Sequence, residues 1–231
     1  MMNQNKLSLL RDILAFTLLF YAVIAGFLIS VPESFIGETM RNIFYHVGMW
    51  AGMVVMFVIS FVQSLKYLKT NKIEFDLKAR ESAFTGLIFG FLGIFTGMIW
   101  AHYTWGQFWV NDTKLNGAAI ALLIYLAYFV LRQSVAEPNL KARISSVFNV
   151  FAFVLMIAFI IIIPRMGESI HPGNSSPTIM PSNLSPSIRM VFYPAMLGWI
   201  LLSWSIFALR YRQAKLRHDL EILKSEISYD K

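Results

Sequence analysis

Four histidines are the sharpest chemical resource in this 231-residue chain, which contains no cysteine. Without thiols there is no disulfide, no thiolate metal site and no thioether to a cofactor, so ligand chemistry must come from His, Met, Tyr or carboxylates. His46, His102 and His171 each stand near the end of a long apolar run, whereas His218 lies in a basic C-terminal segment. His102 sits within Trp100 to Leu115, WAHYTWGQFWVNDTKL, which gathers Tyr103, Trp105, Phe108 and Trp109 around Gly106 and carries one carboxylate, Asp112. Tryptophan and tyrosine favour the interfacial layer of a membrane, so each aromatic taken singly reads as part of an interfacial belt. Five of them around a glycine also read as a flat platform for a planar ligand, and both readings stand at this point.

The elements that must position these residues follow from composition. The chain is 57% hydrophobic and 14% charged, which excludes an ordinary soluble domain. A helix of about 20 apolar residues spans the roughly 30 Å hydrocarbon layer. Six segments qualify: Ile13 to Val31, Ile43 to Leu65, Ala83 to Trp100, Leu115 to Leu131, Ile144 to Ile163 and Met190 to Leu209. The fifth is β-branched and aromatic, yet in lipid the backbone must satisfy its own hydrogen bonds, so helix is expected there too. The expected architecture is an all-α integral membrane protein, a single six-transmembrane-helix bundle over residues 1–231 with a basic tail, 210–231. With the N-terminus inside, 16 Lys and Arg fall on the inner side and four, Arg41, Lys114, Arg165 and Arg189, on the outer. That asymmetry puts both termini in the cytoplasm and the aromatic stretch outside. The net charge of +7 then meets anionic inner-leaflet lipid or a cytoplasmic partner and calls for no nucleic acid. The first apolar run is followed by Pro32-Glu33-Ser34 and reads as a retained helix, and Lys66 to Arg80 reads as a solvated cytoplasmic connection.

His46 precedes Lys66 by 20 residues, so about 30 Å of helical rise places it near the outer boundary, with Trp50 one turn below on the same face. An ionisable group at the end of a membrane helix is a functional candidate, although alone it also reads as a histidine hydrogen-bonded among headgroups. Gly86, Gly90, Gly93 and Gly97 share one face of the third helix, the pattern that lets another helix backbone approach closely. A groove for a flat ligand is the alternative. The outer segment Arg165 to Arg189, bounded and broken by Pro164, Pro172, Pro177, Pro181 and Pro186, is expected to be irregular and carries His171. Taken together, three histidines on three outward connections surround the aromatic stretch. Two histidines on opposite faces of a planar cofactor are what bis-imidazole haem ligation requires, and haem propionates would seek Arg41, Lys114, Arg165 or Arg189.

Trp105-Gly-Gln-Phe-Trp-Val-Asn-Asp112, followed by Lys114 and the helix with Leu-Leu-Ile-Tyr-Leu-Ala-Tyr, resembles the tryptophan-rich WWD motif of haem-handling proteins. With Phe-Tyr-His46, Thr-Gly97-Met-Ile-Trp100 and His171 before a glycine-containing turn, the chain is most similar to the CcmC family of cytochrome c-type biogenesis proteins. The resemblance implies non-covalent, transient binding of haem b at the periplasmic face of a bacterial, Gram-negative type inner membrane. His46 and His171 would be the axial iron ligands, and Trp105, Gly106, Phe108, Trp109 and Asp112 the platform, with Trp50, Trp100 and His102 nearby. It also implies an ABC transporter complex with CcmA and CcmB, the small protein CcmD, and delivery of haem to the chaperone CcmE. The activity would be haem transfer rather than conventional enzyme catalysis. Phe108 stands where a tryptophan is usual, Asn111 replaces another, Lys114 replaces an arginine, and Val47 follows His46 in place of the commoner proline. His102 could pair with a propionate or compete as a ligand. Two other readings are a b-type cytochrome electron-transfer subunit, which would expect histidines in the inner half of facing helices, and a cofactor-free ABC permease subunit, which would expect ionisable groups near the midplane.

Overall fold

Each apolar run forms a helix, since a chain with no water to bond must satisfy its N–H and C=O groups along its own length. The computed structural model describes residues 2–31, 37–172 and 184–229. Its long helices are α1 (Met2–Leu28), α2 (Ile43–Thr70), α3 (Ile73–Trp105), α4 (Thr113–Ser134), α5 (Pro138–Ile157) and α6 (Pro186–Tyr229). All six are long and apolar enough to cross a membrane, and no strand occurs among the described residues. The protein is an all-α six-helix bundle. Pro32, Glu33, Ser34, Gly173, Pro177 and Pro181 lie outside the described residues.

Local chemistry sets the helix ends. Asn71 closes α2 in the left-handed conformation at φ 55°, its N–H bonded to the Tyr67 carbonyl. Gly106 closes α3 the same way at φ 76°, donating to the His102 carbonyl, a backbone region that favours glycine. A 3₁₀ turn, Gly37–Asn42, leads into α2. Past Ile157, α5 widens into a π-helical turn, Ala158–Ile162, before a last turn Ile163–Met166. Pro164 supplies the reason: it has no N–H to donate and its ring would crowd the carbonyl four residues back. Ile163 instead bonds to Ala158, five residues back. The turn presses the Phe159 carbonyl against α4, where a Cβ on Gly117 would lie 2.2 Å from that oxygen.

Helix α2 is the hub, packed on α3, α5 and α6, while α1 lies chiefly against α6. The core includes Phe57 stacked on Tyr125 at 3.6 Å between ring centres, with Met53 and Leu122 fully buried beside them. The glycine face of α3 receives large side chains in place of a neighbouring backbone. A Cβ at Gly86 would strike Phe57, one at Gly90 Leu122 and Met53, one at Gly93 Trp50, and one at Gly97 His46.

The stretch Lys66 to Arg80 is not the solvated connection that its charge density predicts. Only Asn71 and Lys72 separate α2 from α3. Asp76 and Arg132 are both buried, and the Arg132 guanidinium donates to both carboxylate oxygens, Nη1 to Oδ1 at 2.7 Å. Charge counting missed this because pairing, not composition, decides whether a charge can leave water. Glu81, also buried, accepts from Arg80 and Arg210 at 2.7 and 2.8 Å, so ion pairs tie α3 to α4 and α6 at this end. Asn149 bridges the hydroxyls of Ser60 and Ser64 at 2.7 Å each. The basic tail from Arg210 is a continuation of α6, which is 44 residues long and therefore about 66 Å, twice the apolar layer.

Replacing Asp76 by Ala strands the buried Arg132 guanidinium and is expected to destabilise the bundle by about 3 kcal/mol. Unfolding in detergent measures this, and an unchanged transition would show that the pair does not hold α3 to α4.

Candidate functional site

Alternation of the six helices brings the start of α2, the end of α3, the start of α4 and the segment after α5 to one end of the bundle. His46 stands in the first turn of α2, and Trp50 one turn further on, its ring 6.1 Å from the imidazole. Each ring occupies a notch that a glycine leaves in α3, Gly97 for His46 and Gly93 for Trp50. His46 Nδ1 lies 3.0 Å from the Gly93 carbonyl and 3.2 Å from Thr96 Oγ1. The Thr96 hydroxyl already donates to the Leu92 carbonyl at 2.9 Å. A carbonyl only accepts, so Nδ1 carries the proton and Nε2 is the lone-pair nitrogen available to a ligand.

His171 repeats this arrangement from a non-helical segment. Its Nδ1 donates to the Pro172 carbonyl at 3.1 Å, which again leaves Nε2 as the free donor atom. The centres of the two imidazole rings are 6.2 Å apart and their planes are tilted by 34°. Trp100 and Trp105 approach His171 at 5.6 and 6.2 Å and meet each other edge-on at 4.8 Å. His46, His171, Trp50, Trp100, Trp105 and Trp109 line a largely apolar cavity of about 190 Å³, to which Lys114 contributes the one cation among the described residues. Ile160, from the π-helical turn, forms part of the wall. Burial pushes the His171 imidazole below its ordinary range, with the Pro172 carbonyl opposing, so near neutral pH it is an uncharged base able to bind a metal.

The aromatic stretch does not form one flat surface. Helix α3 runs on to Trp105, and the helical turn sends its residues to different sides. Trp100 and Trp105 reach the cavity, whereas His102 is exposed and stacks on Phe108 at 4.2 Å with planes 6° apart. His102, Gly106, Phe108 and Asp112 do not line the cavity. Gly106 instead frees the chain from α3, and Asp112 caps α4, accepting from the N–H groups of Lys114 and Leu115 at 2.9 and 3.4 Å. Asn111 orients an aromatic ring without being one: its Oδ1 accepts from Asn116 at 2.7 Å, and Asn116 Oδ1 accepts from Trp109 Nε1 at 3.1 Å.

The candidate cations also separate. Arg41 donates to the carbonyls of Gly26 and Ile29 and pairs with Glu38, closing the end of α1. Arg165 donates to the Ile161 carbonyl at 3.2 Å, and Arg189 is not a cavity residue. Lys114 lies on the cavity, with Nζ 3.0 Å from the Pro172 carbonyl. His218 belongs to the far half of α6. The Gly93 carbonyl, Thr96 and Ile160 carried no signal in the sequence as site residues, because their part depends on which helices cross.

Residues 2–226 match the family described as heme exporter protein C. The chain is similar to the heme exporter protein C of Paracoccus denitrificans, 27% identical over 199 residues that cover 86% of this chain and 82% of that one. The Haemophilus influenzae protein of the same name is 25% identical, with 93% and 87% covered. That of Escherichia coli is 25% identical, with 76% and 70% covered.

The lowered pKa of His171 has a signed consequence. Its unfolded value is about 6.5 and its folded value is lower, so the unfolded chain binds the extra proton first. The stability this residue contributes is complete above that unfolded value and drains away as pH falls through the window beneath it. Thermal denaturation of the ligand-free protein between pH 7.5 and 5 is expected to show a smaller loss for His171→Gln than for the wild type. Equal losses would show that burial of this imidazole is not the cause.

Proposed function

The chain belongs to the heme exporter protein C family, and from that premise we propose that it holds haem b as a transient, non-covalent cargo between His46 and His171. The observation that carries this reading is the pair of imidazoles, each fixed through Nδ1 by a backbone carbonyl and 6.2 Å apart between ring centres. A metal–imidazole bond of about 2 Å, plus roughly 1.1 Å from that nitrogen to its ring centre, separates two collinear axial rings by about 6 Å. The observed separation of the ring centres supports one iron between them. Trp50, Trp100, Trp105 and Trp109 supply apolar faces for a porphyrin, and Lys114 a cation for a propionate. His102 and Phe108, stacked on one another and exposed, are not among these lining residues, nor is Gly106. Absence of cysteine accords with non-covalent holding.

When bound, haem supplies the metal centre that the two imidazoles complete; the chain binds it, orients it and lets it go. His46 sits on a helix locked into α3, whereas His171 sits on a segment outside any helix. Such asymmetry suits a carrier that captures strongly and releases by yielding on one side. On this reading the activity is haem transfer rather than ordinary catalysis. The positive-inside distribution, 16 of 20 Lys and Arg, supports a reading with both termini in the cytoplasm and the histidine end outward, which in this proposal is the periplasmic face of a Gram-negative type inner membrane. The recipient would be the haem chaperone CcmE, and the assembly would include the ABC subunits CcmA and CcmB with the small protein CcmD. A multi-haem cytochrome b fits less well, since His102 stacks on Phe108 and His218 lies at the opposite end.

Haem retained after detergent purification is the direct test. His46→Ala and His171→Ala are each expected to reduce the haem-to-protein ratio by about tenfold, on the order of one lost axial bond. Wild-type ratios in both variants would remove the bis-histidine site.

A further inference from the structure

His171 is part of no helix, so something outside its own segment must hold it where His46 can share a ligand with it. Three consecutive residues at the start of α4 meet the backbone on both sides of His171. Asp112 Oδ2 accepts from the Ile170 N–H at 3.0 Å, Thr113 Oγ1 donates to the Glu168 carbonyl at 2.9 Å, and Lys114 Nζ donates to the Pro172 carbonyl at 3.0 Å. Positions 168, 170 and 172 are thus gripped in alternation. The Ser169 hydroxyl bonds to Asp112 and accepts the His171 N–H at 3.1 Å, closing the contact from within.

We propose that Asp112, Thr113 and Lys114 are positioning residues that clasp the segment carrying His171 to the start of α4 and so set the geometry of the second axial ligand. This rests on the haem reading above for its ligand but not for its mechanics. The carboxylate of Asp112 is divided between two tasks: Oδ1 caps α4 through Lys114 and Leu115, and Oδ2 holds Ile170. Asp112 is buried, where hydrogen bonds to an ionised acceptor are worth more than neutral ones. The same arrangement makes the loop side adjustable, because each prong is a side-chain bond to backbone that can open without unwinding a helix. Lys114 and His171 Nδ1 share one acceptor, the Pro172 carbonyl. The cation therefore acts on the bond that fixes the imidazole, and outer partners of this kind tune a ligand's basicity.

Two variants and two readouts test the clasp in the full-length protein in detergent. Thr113→Val removes one prong at constant volume, and Asp112→Asn keeps a good helix cap while removing the charge that grips Ile170. Without haem, amide hydrogen exchange across residues 168–171 is expected to rise about tenfold or more in each variant, with residues 43–50 unchanged. With ferric haem added, the absorption spectrum is expected to lose low-spin six-coordinate character, and external imidazole or Thr113→Ser to restore it. Unchanged exchange and unchanged spectra in both variants would overturn the clasp. If the wild type bound no haem, the haem reading would fall while the exchange arm still decided the clasp; if it bound haem and the variants matched it, the clasp alone would fall.

Discussion

The hydrogen bond from His46 Nδ1 to the Gly93 carbonyl exists because α3 carries glycines where α2 crosses it. At Gly97 a Cβ would lie 2.8 Å from His46 Cε1, and at Gly93 one would lie 2.9 Å from the Trp50 ring. Any side chain there would push both rings away and break the bond that fixes the imidazole tautomer. The notch continues along α3, with Gly86 receiving Phe57 and Gly90 receiving Leu122 and Met53. One small-residue stripe therefore sets the core packing through most of the apolar layer and the orientation of the histidine at its end.

The second histidine depends on a different kind of support. Pro164 forces the π-helical turn, and the turn carries Ile160 into the cavity wall and the Phe159 carbonyl against Gly117. Helix α4 is thereby drawn close enough for its first residues to reach the segment beyond Met166. The two halves of the site are built unequally: a helix seated in a notch on one side, and a loop suspended from a helix start on the other. At the opposite end the buried Asp76–Arg132 pair and the Glu81 pairs fasten α3 to α4 and α6. The bundle is held by charge at one end and left available for a ligand at the other.

Six apolar runs and the proline and glycine punctuation made the helix count legible in the sequence, because lipid leaves the backbone no alternative to helix. His46 with Trp50, and the tryptophans about Gly106, were legible as candidates from residue type and helical spacing. How the aromatic stretch divides was not, because α3 extends five residues past Trp100 and its phase sends His102 away from the cavity while Trp105 turns toward it. The supporting atoms were hidden for a related reason. The Gly93 carbonyl is identical in sequence to any other carbonyl, and Thr113 is an ordinary first-turn threonine until α5 ends beside it. Asp76 read as solvated because its partner Arg132 is 56 residues away in sequence.

The proposed function turns on one iron shared by His46 and His171. Electron paramagnetic resonance of the ferric, haem-loaded protein, grown with isotopically labelled histidine, counts the imidazole nitrogens coupled to that iron. A low-spin centre with two coupled imidazoles, each lost in turn when its own histidine is replaced, is the expected result. A high-spin centre, or a low-spin one coupled to a single histidine, would contradict it.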